Sequence, residues 1–301
     1  MKIVKFSVFL LLLITSNTIY AELNVFACEP EWASLMKELT GEHGKVFSAT
    51  TAFQDPHRIE ARPSLIAKMR RADVVVCSGS ELEVGWLPLL LRSSGNRKVQ
   101  TNQPGYIEAS QLVERLGIPQ NIDRSMGDVH AAGNPHVHLD PRRLTQIAKI
   151  IGERLSKIDP DNAVQYQVKT SDFISRIEKK IKGWQTLASL LKNTKAVVHH
   201  KDWKYLFDWL GIKQVATLEP KPGIPPSPGH LASLKKQMQT EPADFILRAA
   251  YQDDNASIWL EKQTGIKAIE LPFTVGGSDN ATDLFTLMDD TINQLLAALK
   301  S

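Results

Sequence analysis

Short apolar segments alternate with helical stretches along this chain, and that alternation restricts it to the α/β class. In the first half, strands are predicted at 23–27, 45–49, 73–76 and 98–101, with helices at 31–39, 63–71 and 83–91 between them. The second half follows the same rhythm, with strands at 195–199, 214–218, 244–247 and 267–271 and helices at 203–210, 229–240 and 255–264. Four strands per half joined by helical crossovers predict two parallel-sheet α/β lobes. Between them, Asp159-Pro160-Asp161 opens a helical stretch in which Val164, Val168, Phe173, Ile177, Ile181, Trp184 and Leu187 recur at helical spacing. Taken over 160–191, that helix would run on the order of 45 Å and join the lobes stiffly, with Gly183 as its weak point. The expected division is an export signal at 1–21, an N-terminal lobe at 22–158, a linking helix at 159–192 and a C-terminal lobe at 193–301.

The export signal is read from Lys2 and Lys5, an apolar run at 6–14 and a small residue at Ala21, after which cleavage is expected. The run is shorter than the ~20 residues a bilayer span needs, and no other segment could cross, so an exported chain without membrane insertion is predicted. Without Lys2 and Lys5 the balance is 34 basic to 33 acidic residues, which argues against nucleic-acid binding. Cys28 and Cys77 each end a predicted strand, and an even count in an exported protein favours a disulfide; two buried thiols are the alternative.

The chemistry lies in the histidines. Asn134-Pro135-His136-Val137-His138-Leu139-Asp140-Pro141 sets one imidazole after a proline and before an Asp-Pro that can start a helix. Asp55-Pro56-His57 follows the second strand, and His199-His200 ends the fifth. Parallel sheets present their ligand sites at the carboxyl ends of strands, so His57, His136 and His200 could face one cleft between the lobes. Imidazole is the commonest protein ligand for zinc. His138 shares a face with His136 in an extended segment and is assigned to hydrogen bonding behind the site. His200 is chosen over His199, which is expected to pack beneath the sheet, because adjacent strand residues face opposite ways. His130, in the small-residue loop 127–133, could help capture a metal or be an ordinary surface histidine.

These segments, with Trp203, Tyr205 and the proline-rich loop 222–228, resemble the metal-specific solute-binding proteins of bacterial ABC importers, the zinc and manganese uptake family. The resemblance covers essentially the whole mature chain. It implies two α/β lobes on one long helix, a single divalent cation between them, and delivery to a membrane permease by a periplasmic monomer. The family's first three ligands fall on His57, His136 and His200; His at the third position favours Zn2+ over Mn2+. Many members carry an acidic fourth ligand after the last strand, where this chain reads Leu271-Pro272-Phe273-Thr274-Val275-Gly276-Gly277-Ser278-Asp279. Asp279 is the nearest acid and is taken as the fourth ligand, with Glu219, Asp55 or water as alternatives. The long His-rich loop of many zinc members is replaced by the short segment around His130. Rival readings are a manganese or iron receptor, a surface adhesin, and a zinc hydrolase. Against the hydrolase stand the lack of HExxH and of a placed general base. Against the adhesin stands the lack of a lipid-anchoring Cys directly after the signal. Ligands must be deprotonated, so affinity is expected to fall at acid pH.

Overall fold

A computed structural model describes residues 22–121, 127 and 129–300; the expected export signal lies outside the described residues. The chain opens with β1 (Leu23–Ala27), α1 (Pro30–Thr40), β2 (Gly44–Ser48), α2 (Pro63–Arg71), β3 (Val74–Cys77), α3 (Leu87–Ser94) and β4 (Tyr106–Glu108). Helices α4 (Pro141–Ile158) and α5 (Ala163–Leu187) follow. Then come β5 (Lys195–Val198), α6 (Lys204–Leu210), β6 (Lys213–Thr217), α7 (Pro228–Thr240), β7 (Phe245–Ala249), α8 (Asn255–Thr264), β8 (Ala268–Leu271) and α9 (Leu284–Ala298). The strands form two wholly parallel sheets of the same internal order, β2-β1-β3-β4 and β6-β5-β7-β8. In each sheet the first strand has neighbours on both sides, so loops at its carboxyl end diverge and leave a crevice. None of the described helices is long and apolar enough to cross a membrane.

Both faces of each sheet are covered, which is why the strands read as continuous apolar runs. Val74 and Val76 belong to a central core shared with α1, α4, α5 and α9, while Val75 and Cys77 face an outer layer under α2 and α3. Val197 and Ile246 do the same beneath α7 and α8. Cys28 and Cys77, at the ends of neighbouring β1 and β3, form a disulfide with Cα atoms 4.8 Å apart.

The fourth strand lies later than the sequence predicts. Positions 97–99 form a 3-10 turn, with the Asn96 side chain accepting from Lys98 N at 3.0 Å. The strand forms after Gly105, where any Cβ would lie 2.5 Å from Asp73 O and 2.6 Å from Lys98 O. Only glycine lets the chain approach closely enough for Gly105 O to accept from Val75 N at 2.7 Å. The spine helix is 25 residues, roughly 37 Å, flanked by 3-10 turns at Pro160–Asn162 and Ala188–Leu191, and it passes through Gly183 unbroken. Its buried stripe is Tyr166, Thr170, Phe173, Ile177 and Trp184, whereas Val164 and Val168 are exposed. Val168 lies five residues before Phe173, about 140° round the helix, and so cannot share its face.

α4 and α5 touch at Gly152, where an added Cβ would meet Thr170 Oγ1 at 2.2 Å and Thr170 Cβ at 2.9 Å. Gly152→Ala is therefore expected to destabilise by ~1–3 kcal/mol, although alanine is the better helix former by ~1 kcal/mol. Chemical denaturation reads this directly, and Thr170→Ala in the same chain should recover most of the loss. A stabilised Gly152→Ala protein would contradict this packing.

Beside the disulfide, two buried carboxyls share one amide. Ser78 N donates to Glu83 Oε1 at 2.8 Å and to Glu29 Oε2 at 3.3 Å. Burial raises both carboxyls, with mutual repulsion adding to Glu29, and it lifts Glu83 to about 7. A carboxyl that binds its proton more tightly when folded stabilises fully below its ordinary value of 4.5, and that contribution is lost as pH rises through about 7. Glu83→Gln should remove the loss, so its melting temperature should gain on the wild type between pH 5 and pH 8. A difference that stays constant with pH would rule this out.

Candidate metal centre

The carboxyl ends of the two sheets bring four histidines into one cleft. After β2 the chain turns at Asp55-Pro56-His57. Asp55 Oδ1 accepts from His57 N at 3.0 Å and sits 2.8 Å from His57 Nδ1. Pro56 O accepts from Trp86 Nε1 at 2.9 Å, tying the turn to the outer layer. Burial alone would raise Asp55, but its hydrogen bond to His57 and the charge there hold it below the usual carboxylate value. With Nδ1 occupied, His57 presents Nε2 to the cleft, 3.2 Å from His130 Nε2, with the two rings stacked at 5.2 Å.

His136 is fixed by its neighbours. Its N–H donates to Asn134 Oδ1 at 3.1 Å, Asn134 Nδ2 donates to Lys201 O at 2.8 Å, and Tyr205 OH donates to Asn134 O at 2.8 Å. Asp140 then caps α4 by accepting from Arg142 N at 2.9 Å. The imidazole is buried, and desolvation holds it neutral below its ordinary range. Burial likewise pushes His130 down to about 3.

His200 leaves the end of β5 with Nδ1 2.5 Å from Glu219 Oε2, and that oxygen also accepts from Gly223 N at 3.0 Å. Burial alone would lower this imidazole; Asp202 and Glu219 outweigh it and raise His200 to about 9. Asp202 is fully buried, and its Oδ1 lies 3.4 Å from His136 Nε2 and 3.7 Å from His200 Nε2. Burial would raise this carboxyl, but the histidines, His200 foremost, drive it far below the carboxylate range.

His57 and His200 lie edge to face with ring centroids 6.0 Å apart, His136 and His200 both face Asp202 Oδ1, and Asp55 and Glu219 serve as Nδ1 partners of His57 and His200. Asp279 does not join them. The segment after β8 folds back, with Thr274 N donating to Pro272 O at 2.7 Å and Gly276 N to Ala281 O at 2.6 Å. This leaves Asp279 exposed and puts the Phe273 ring against His136, 5.0 Å between centroids. His138 lies behind the site, Nε2 3.0 Å from Phe273 O and Nδ1 3.2 Å from Glu31 Oε1. Glu31 also accepts from Thr274 Oγ1 at 2.5 Å, so α1 and the loop after β8 are tied through one buried carboxylate. His199, expected beneath the sheet, instead borders the same cavity as His57 and His200, because β5 ends at Val198 and strand alternation ends with it. Asp202 and Phe273 were not singled out as site-forming by sequence, and His130, left open there between metal capture and an ordinary surface histidine, lies against His57; for Asp202 the signal on offer was an acid two residues after His200.

The donors are gathered but open. A tetrahedral zinc site with Zn–N near 2.0–2.1 Å needs neighbouring nitrogens roughly 3.3 Å apart. Among the described residues, the one trio of donor atoms within 4.8 Å of one another is the Cys28 and Cys77 sulfurs with a Glu83 oxygen, and those sulfurs are bonded to each other and offer no thiolate. The cleft histidines must therefore draw closer to enclose an ion.

The sequence profile of a family described as zinc-uptake complex component A, periplasmic, matches residues 25–298. The zinc-binding lipoprotein AdcA of Streptococcus pneumoniae is 27% identical over 237 residues, 77% of this chain but 46% of that protein, so the chain spans about half the length of this curated relative. The high-affinity zinc uptake system protein ZnuA of Bacillus subtilis is 25% identical over 268 residues, 88% of this chain and 82% of that one. Among solved structures, a crystal structure of ZnuA superposes with a TM-score of 0.75 at 20% identity, covering 91% of this chain and 99% of that one. A periplasmic metal-binding protein from Candidatus Liberibacter asiaticus gives 0.74 at 16% identity, covering 92% and 100%.

Proposed function

This chain belongs to the periplasmic component A family of zinc-uptake complexes, and on that premise we propose that it captures a zinc ion in its interlobe cleft and delivers it to an ABC import permease. The proposed ligands are His57, His136 and His200. The observation that carries the reading is the way these rings are held. Two have Nδ1 committed to a carboxylate, Asp55 or Glu219, which fixes the ring and leaves Nε2 as the inward donor. Three imidazoles suit zinc better than the harder manganese ion. The raised His200 means that zinc must displace a proton as it binds. The chain's role is that of a solute receptor, working outside the cytoplasmic membrane as a monomer.

Calorimetric titration of the purified chain with zinc, manganese and iron(II) tests this. Zinc is expected to bind at one site per chain and to be displaced by neither competitor at equal concentration. Failure to bind zinc, or a preference for manganese, would overturn the reading.

A further inference from the structure

The cleft contains a buried carboxylate oxygen with no hydrogen-bond partner. Asp202 is fully buried, and its two oxygens have different surroundings. Oδ2 accepts from Gln252 Nε2 at 2.6 Å and lies 3.3 Å from Tyr251 OH, both on the loop after β7. Oδ1 accepts no hydrogen bond. It points toward the His136 and His200 Nε2 atoms at 3.4 and 3.7 Å, beyond good hydrogen-bond geometry. A buried carboxylate oxygen that accepts no hydrogen bond is costly, and a cation held between it and the facing imidazoles compensates it. Second-shell donors on one oxygen and a free partner oxygen aimed at imidazole nitrogens is the arrangement expected of a metal-ligating carboxylate.

We propose that Asp202 Oδ1 is the fourth zinc ligand, completing a three-nitrogen, one-oxygen site with His57, His136 and His200; this rests on the zinc-capture reading of the cleft. The segment after β8 turns Phe273, not an acid, toward the site, so the negative charge comes from the loop after β5 instead. One carboxylate reduces the bound ion's net charge to +1 inside a buried cleft. His130 is the competing donor: its Nε2 lies 3.2 Å from His57 Nε2, but it sits on a loop with glycines at 127 and 133. Asp202 is instead braced by Gln252 and Tyr251 on the loop after β7.

Three variants decide the assignment. Asp202→Asn keeps the shape and the Gln252 and Tyr251 contacts, and is expected to weaken zinc binding about 100-fold. Asp202→Cys, loaded with cobalt(II), is expected to show a thiolate-to-cobalt charge-transfer absorption in the near ultraviolet that Asp279→Cys lacks. His130→Ala is expected to stay within tenfold of wild type. The proposal is overturned if Asp202→Asn loses less than tenfold, if Asp202→Cys binds cobalt without the absorption, or if His130→Ala loses affinity while Asp202→Asn does not. Thermal melts check folding, and should Asp202→Cys fail to fold, the Asp202→Asn titration decides alone. Wild-type protein that ignores zinc would sink the capture reading, a failure distinct from wild-type binding with Asp202→Asn unchanged.

Discussion

Replacing His57 with alanine lowers zinc affinity at least about 100-fold, ~2.7 kcal/mol of binding free energy. It is the cleanest of the three imidazoles to remove. His57 sits at the cleft rim, half-buried, whereas His136 is enclosed and its loss would also leave a void. The backbone around it stays anchored, because the Trp86 bond to Pro56 O does not depend on the ring. Asp55 loses the imidazole but still accepts from the backbone N–H of position 57, so the metal-free melting temperature should move little. Titration calorimetry of wild type and variant, with melts of both metal-free proteins, separates ligand loss from misfolding. Unchanged affinity would take His57 out of the site and leave the first lobe without a ligand from β2.

Removing the disulfide has the largest expected effect on stability. Cys28 and Cys77 close a loop with a sequence separation of 49, for which chain-entropy arguments give about 4 kcal/mol. In a protein of this size, at about 2.1 cal/mol/K of unfolding entropy per residue, that corresponds to a drop of roughly 7 °C in melting temperature. Alanine at both positions suits the apolar layer the sulfurs occupy beneath α2 and α3. Differential scanning calorimetry of Cys28→Ala/Cys77→Ala against wild type reads the effect. A shift under about 2 °C would mean that the bridge adds little beyond the packing of β1 on β3.

Much of the fold was legible because parallel strands covered on both faces leave unbroken apolar runs, and Val74-Val75-Val76 is the plainest of them. β4 was misplaced because it is three residues long and is positioned by Gly105, whose role depends on the backbone at Asp73 and Lys98. The spine helix was found, but Val164 and Val168 were assigned to its buried face; apolar identity pointed there, and the register against Phe173 did not. In the site, His57, His136 and His200 were readable because each lies beside a strand end or a capped helix start. Asp202 was not, since its meaning depends on Tyr251 and Gln252, about fifty positions away. Asp279 was chosen by its order in the chain after the last strand, and the fold-back at Pro272 carries it out of the cleft.

Glu31, bonded to Thr274 and lying beside His138, is a rivet at the back of the molecule, and the unbroken helix from Ala163 to Leu187 is its keel. A chain braced in this way has little freedom to swing wide. On the proposed function, the zinc-loaded and empty forms are then expected to differ chiefly at the mouth, where the proposed permease would have to sense occupancy.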